Sequence, residues 1–265
     1  MGLDRSTVQG DRDATVPIDR FLRPLSRPLL GLPMVIFGIQ HYMYVDFVIT
    51  LIPDWIAGRR FWAYFTGTAL LSAGVAISLN RIARPATVLL GAMIFGFFVL
   101  VHVPLVLGRP NEPDQITYLT QAFTFSGIAF LSTTVVRLGA WPPGSFVDRV
   151  VAIGRWQIAI GFVVLGIRQL LQMPFVHRLV PDWYPGLVSW STLAGLLLLV
   201  TGLAVAIKRE RGPALALAGL LLVFLLSYHL PWLALDPYNR DWGAACKDSI
   251  LCAGALLLAV NRRRT

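Results

Sequence analysis

Residues 47–58 read FVITLIPDWIAG and residues 175–186 read FVHRLVPDWYPG. Phe47, Val48, Leu51, Pro53, Asp54, Trp55 and Gly58 thus return 128 positions later as Phe175, Val176, Leu179, Pro181, Asp182, Trp183 and Gly186. The same offset pairs Trp62 with Trp190, Gly67 with Gly195, Gly74 with Gly202, Arg81 with Arg209, Pro85 with Pro213 and Gly91 with Gly219. One residue then drops out, and an offset of 127 pairs His102, Val103 and Pro104 with His229, Leu230 and Pro231, Asp114 with Asp241, and Gly127 with Gly254. Such regularity predicts a tandem duplication. The units are an N-terminal tail over 1–24, a first repeat over 25–137, a linker over 138–150 marked by Pro142, Pro143 and Gly144, and a second repeat over 151–265.

The solvent of these repeats follows from composition. With 56% hydrophobic residues and a mean hydropathy of +0.66, the chain carries more apolar surface than water tolerates, so the lipid bilayer is its expected partner. The net charge of +9 sits in short clusters between apolar runs and forms no continuous stripe, which argues against nucleic acid. The first 24 residues mix Arg5, Arg12, Arg20 and Arg23 with Asp4, Asp11, Asp13 and Asp19, a polar cytosolic tail and not a cleavable signal. Cys246 and Cys252 fall six residues apart in the last apolar run, where one helix cannot bridge them. The first repeat has no cysteine, so a shared thiol chemistry is not expected.

A crossing helix needs roughly 20 apolar residues. Eight runs qualify, near 28–46, 61–79, 85–107, 116–136, 154–173, 189–207, 213–235 and 243–260. They lack the alternation of a membrane β-barrel. The expected fold is therefore all-α, a polytopic integral membrane protein of eight transmembrane helices in two four-helix repeats. Sixteen of the 23 Lys and Arg residues fall on the side of the N-terminus, the even-numbered loops and the C-terminus. That bias predicts a plasma-membrane protein with both termini cytoplasmic. An even number of spans per repeat gives the two halves one orientation, related by an axis along the membrane normal. Between the first and second spans of each half, Phe47, Leu51 and Trp55, or Phe175, Leu179 and Trp183, suit a short helix lying in the outer interface. Gly67 and Gly74, like Gly195 and Gly202, are seven residues apart on one helical face, where small residues let helix backbones meet.

Chemistry within the spans centres on His102 and His229, each two residues before a proline, toward the outer side of the third span of its repeat. Such a proline leaves the carbonyl four residues back without its usual donor. An ionisable side chain beside it belongs in the bundle interior. A ligand or proton role and a packing role both fit. Gln40 and His41 end the first span, and Arg168 and Gln169 occupy the corresponding positions of the second repeat. An arginine inside a span needs an acid or water, and Asp182, Asp236 and Asp241 are its outer-side acidic candidates, with Asp54 and Asp114 on the same side in the first repeat. Each half could thus hold a polar pocket that opens outward, and the mismatch of Gln40 and His41 with Arg168 and Gln169 gives the two pockets different jobs. No metal site is expected: His41, His102, His177 and His229 show no i, i+3 or i, i+4 pair, and haem is disfavoured on the same ground.

The four-span unit resembles the DoxX-like family of small membrane proteins. The resemblance rests on a first helix ending in a polar pair, the loops from Phe47 to Pro53 and from Phe175 to Pro181, and the glycines of the second spans, and it covers nearly the whole chain as two copies. It implies four-helix bundles and a distant relation to DoxD, the membrane part of a thiosulfate:quinone oxidoreductase, and hence a link to quinone. The thiol-redox bundles related to that family use paired cysteines, which this chain lacks. Two readings stay open: a quinone-interacting subunit of a respiratory oxidoreductase with a soluble redox partner, and a nonenzymatic small-molecule or lipid carrier or membrane assembly factor.

Overall fold

The computed structural model describes residues 18–109, 112–136, 145–172, 186–235 and 242–261. Among these the chain is helical throughout and contains no strand. The elements are α1 (Asp19–Met43), α2 (Val45–Leu51), α3 (Arg59–Ser78), α4 (Ala83–Phe97), a π-helical turn π1 (Phe98–His102), α5 (Val103–Gly108), α6 (Pro113–Ser132), α7 (Ser145–Leu171), α8 (Leu187–Ala206), α9 (Arg211–Phe224), a second π-helical turn π2 (Leu225–His229), α10 (Leu230–Leu235) and α11 (Trp242–Val260). Six runs are long and apolar enough to cross a membrane, namely α3, α4 with π1 and α5, α7, α8, α9 with π2 and α10, and α11. The bent pair α1 and α2 makes a seventh when counted as one span. α6 has the length but carries Thr117, Thr120, Gln121, Thr124 and Ser126 along its course. It faces protein instead of lipid: its second half is largely buried.

Local signals account for the ends. Gly58 precedes α3 and Gly186 precedes α8 in left-handed backbone, at φ +70° and +74°. The last letter of the PDWxxG stretch is therefore the residue that adopts this conformation without steric cost. α3 and α8 finish alike, with Asn80 and Lys208 at φ 54° and 55° and the Arg81 and Arg209 amides donating to Ala76 and Ala204 carbonyls five residues back. This is a Schellman closure that satisfies otherwise unpaired carbonyls. α2 leaves α1 at 101°, with Phe47, Leu51 and the following Trp55 exposed, as expected of a helix lying in an interface. Its counterpart around Phe175 and Trp183 lies outside the described residues.

Two helices begin earlier than apolarity alone suggests. α1 starts at Asp19 because its first turns are held by protein: Asp19 pairs with Arg211 of α9 at 2.9 Å, and Arg23 donates to the Val260 carbonyl at 3.0 Å. α7 starts at Ser145, inside the stretch read as a linker, with Asp148 in its first turn, where the helix dipole favours an acid.

The long helices form a closed ring. Neighbours pack in the order α1, α3, α4, α6, α7, α8, α9, α11 and back to α1, and α6 also crosses α11 through the middle. The last long helix of each half therefore packs on the first helix of the other. α11 occupies the centre, and every residue from Ser249 to Val260 is buried. A helix apolar on all sides belongs in such a place. Its C-terminal carbonyls, which a buried helix end would leave unpaired, accept hydrogen bonds from Arg211 (to Ala259), Arg23 (to Val260) and Arg155 (to Asn261). Three cations also complement the negative end of the helix dipole. Beside them Arg155 of α7 forms a buried ion pair with Glu210.

The periphery is apolar. Leu89, Leu107, Ile153, Leu203 and Ile207 are among many large side chains that are more than half exposed. A band of this kind has lipid, not water, as its solvent. Helices gain little hydrophobic driving force from meeting each other in lipid, so the close contacts fall at small residues. A Cβ at Gly38 would lie 2.8 Å from the Gly67 carbonyl oxygen, one at Gly166 2.7 Å from that of Gly195, and one at Gly127 2.7 Å from that of Gly154. Gly219 has nothing within 4 Å. Gly166→Leu should cost about 1–3 kcal/mol or more through overpacking, read as a lowered thermal midpoint in detergent, while Gly219→Leu should leave the midpoint nearly unchanged. Similar midpoints for the two variants would refute this account of the α7–α8 contact.

Candidate functional site

At the end of the ring opposite the arginine cluster, α7 finishes and α6, α8 and α11 begin. A cavity of about 140 Å³ lies there. α7 supplies Leu165, Arg168, Gln169 and Gln172; α6 supplies Thr117 and Gln121; α8 supplies Trp190, Ser191, Ala194 and Leu198; α9 supplies Leu220, Leu221 and Phe224; and α11 supplies Asp248 and Leu251. Apolar side chains make the inner walls, and hydrogen-bonding groups of both kinds gather toward the helix ends. The Thr117 hydroxyl is buried and has no hydrogen-bond partner.

Behind Asp248 stands His229. Its Nε2–H donates to Asp248 Oδ2 at 3.0 Å, and the ring is almost wholly buried. Phe224 and Tyr228 stack on each other at 4.8 Å, and both present edges or faces to the imidazole at 5.0 and 5.1 Å. The π turn puts the histidine there. Leu221 belongs to the buried stripe of α9, and at 3.6 residues per turn the eight residues to His229 overshoot two turns by about one residue. In π2 the Leu230 amide reaches five residues back to the Leu225 carbonyl, and this wider turn absorbs the excess and returns His229 to the inward face. π1 does the same between Ile94 and His102, with Val103 donating to the Phe98 carbonyl. Pro231 and Pro104 follow two residues later, where their missing N–H groups and ring bulk disfavour ordinary i to i−4 bonding. The His-x-Pro spacing foretold a disturbed helix; that the disturbance is a π turn, a feature frequent at functional sites, was not read from it.

Of the residues singled out in the sequence, Arg168 and Gln169 line the cavity and His229 adjoins it through Asp248. His102 sits in the other half, and its Nδ1 is buried without a hydrogen-bond partner. His41 donates Nδ1–H to the Phe37 carbonyl of its own helix at 2.7 Å, and Gln40 lies beside it, partly buried, away from this cavity. Asp54 pairs with Arg59 at the surface at 2.5 Å. Asp182, Asp236 and Asp241 lie outside the described residues. Among the described residues the acid that shares the cavity with Arg168 is Asp248, which sequence reasoning missed. Its signal was available: it is an acid within an otherwise apolar run, the kind of residue that marks an intramembrane site. Its neighbour Lys247 points elsewhere, with Nζ 4.9 Å from the centre of the Tyr118 ring of α6. Among the described residues no three His, Cys, Asp or Glu side chains gather as a metal site.

The chain matches no protein-family model, no curated protein and no solved structure.

The two histidines should behave differently on truncation. In a double-mutant cycle, His229→Ala and Asp248→Ala should couple by about 1.5–3 kcal/mol, as befits a hydrogen bond to a charged group. His102→Ala and Gln121→Ala, at the positions 127 residues earlier, should show coupling near zero. Chemical unfolding in mixed micelles measures both cycles, and equal coupling would contradict the asymmetry.

Proposed function

We propose that this chain is a membrane protein of DoxX-like build whose cavity holds a quinone headgroup, serving as the membrane subunit of a respiratory oxidoreductase. The observation that carries the reading is the set of polar groups around one ring-sized space: Arg168, Gln169 and Gln121 to bond carbonyl oxygens, Trp190 and Phe224 to flank the ring, and Asp248 backed by His229. Reduction of a quinone to a hydroquinone takes two electrons and two protons. The electrons come from a redox centre on a soluble partner subunit. Asp248 exchanges protons with the bound headgroup, and His229 fixes the carboxylate and shares its charge. Mass spectrometry of lipid-soluble molecules extracted from the purified protein should find near-stoichiometric quinone, lost in Arg168→Ala and kept in His102→Ala. A different retained lipid or metabolite would move the function to the carrier reading. One observation favours that second reading: the end opposite the cavity is sealed by three arginines and a buried ion pair, as a carrier closed on one side would be.

The same reading takes α1 and α6 as crossings too, giving eight spans in two like-oriented halves with both termini in the cytoplasm. Support comes from the matching ends of α3 and α8, the two π turns 127 residues apart, and the equivalent packing of α6 on α7 and of α11 on α1. A reporter fused after Thr265 should be active in the cytoplasm. Activity on the far side would overturn the orientation.

A further inference from the structure

We propose that the arginine-bearing end of the molecule holds one phospholipid with an anionic headgroup, its phosphate taken by Arg27 and Ser78 where α1 meets the end of α3 and the start of α4. This place lies apart from the cavity, and the inference does not depend on the quinone reading.

Two sets of helices pack alike. A Cβ at Gly74 of α3 would lie 2.5 Å from the Gly31 carbonyl oxygen of α1, and one at Gly202 of α8 would lie 2.5 Å from that of Ala159 on α7. Gly31 and Ala159 each follow an arginine by one turn, Arg27 and Arg155. The buried faces of α4 and α9 correspond at 127 positions, with Thr87, Leu90, Gly91 and Ile94 matching Ala214, Leu217, Ala218 and Leu221. In that register Ala83 takes the place of Glu210. Arg155 is neutralised by Glu210, whereas buried Ala83 offers Arg27 no charge. Ile82 before it turns outward, 79% exposed, in left-handed backbone at φ 52° that a β-branched residue rarely adopts.

Arg27 is thus a guanidinium without a counter-charge. It is half-buried, its Nε is buried without a hydrogen-bond partner, and it joins no ion pair among the described residues. The hydroxyl of Ser78, against which Gly31 packs, is likewise buried and unpartnered. The end of α6 does not call for the cation as the end of α11 calls for Arg155, because the Thr133 and Thr134 hydroxyls donate to the Phe130 and Leu131 carbonyls. In residues 18–31 and 77–88 the cations are Arg20, Arg23, Arg27, Arg81 and Arg84, and the one acid, Asp19, is paired with Arg211. A partly buried cation in such surroundings draws an anion. A planar guanidinium and a hydroxyl suit phosphate oxygens. Phe21, Leu79 and Ile82, all mostly exposed on the same elements, offer apolar surface to acyl chains, so the phosphate belongs to a lipid headgroup.

The test uses the full chain, purified in a nonionic detergent and stripped of lipid, with bound lipid read by native mass spectrometry. Phosphatidylglycerol should bind at least about fivefold tighter than phosphatidylcholine, the effect of one cation on one anionic headgroup. Arg27→Gln should remove the preference, and Lys208→Gln, which neutralises an exposed cation at the same end, should keep it. Ala83→Glu, which supplies the acid that Arg155 has and Arg27 lacks, makes the same test should the first variant fold poorly. Equal losses in Arg27→Gln and Lys208→Gln would reduce the effect to general attraction and overturn the site. No preference in the unmodified chain would overturn it too, and a preference gained once Asp4, Asp11 and Asp13 are changed to Asn would then assign the counter-charge to the N-terminal tail. Inorganic phosphate at the lipid's own concentration should leave the lipid bound; displacement would assign the site to a soluble anion and overturn the lipid proposal.

Discussion

Contact between helix backbones at glycine is the constraint on which the rest of this structure depends. In lipid two apolar helices gain little by leaving their solvent, so association rests on dispersion and on how closely the main chains approach. Gly38 against Gly67 sets α1 on α3, Gly166 against Gly195 sets α7 on α8, and Gly127 against Gly154 joins the halves through α6 and α7. Because α7 is fixed on both sides, the residues it ends with have fixed positions as well. Arg168, Gln169 and Gln172 can form a polar wall only because their helix is held by contacts that tolerate no added methyl group.

A second constraint is that no backbone or side-chain polar group can turn to water inside the ring. The structure answers it in two ways. At one end arginines from α1, α7 and α9 reach the last carbonyls of α11, so the terminus of a buried helix needs no solvent. At the other end prolines remove amide donors, the helices widen into π turns, and each turn carries a histidine at its end. His229 then meets Asp248. A carboxylate beside this cavity needs a hydrogen-bonding partner, and the imidazole supplies it to Oδ2.

Much of this was legible in the residues. The apolar runs lie within a few residues of the long helices that form, apart from the early starts of α1 and α7; that the glycine of PDWxxG sets where α3 and α8 start was not read from the repeat. The two early starts are held by Asp19, Arg23 and Asp148, polar groups whose partners or dipole contacts cannot be inferred from apolarity. The site was legible only in part. Arg168 called for an acid, and the outer-side candidates Asp182, Asp236 and Asp241 all lie outside the described residues, whereas Asp248, which lines the same cavity, was not singled out. The ring order puts α11 beside α9 and across from α6, and this order is a packing property that no spacing encodes. His102 and His229 looked equivalent for the same reason. Their difference depends on what the central helices present to them.

That difference separates the two His-x-Pro segments of the ring. The central helices α6 and α11 carry Gln121 and Asp248 at positions 127 residues apart, and both side chains line the same cavity. An acid at both positions would set two carboxylates around one small space, where like charges oppose joint ionisation. With glutamine on α6, the described residues give the cavity one acid, the guanidinium of Arg168, and amides that can donate or accept. His102 and His229 both have a buried Nδ1 without a partner, but among the described residues only His229 has a hydrogen bond to a carboxylate. On the N-terminal side α1 supports α11, α6 forms a wall of the cavity, and α2 packs on α3. Among the described residues, the packing of α7, α11 and π2 brings a cation, an acid and an imidazole together around this cavity, as Arg168, Asp248 and His229.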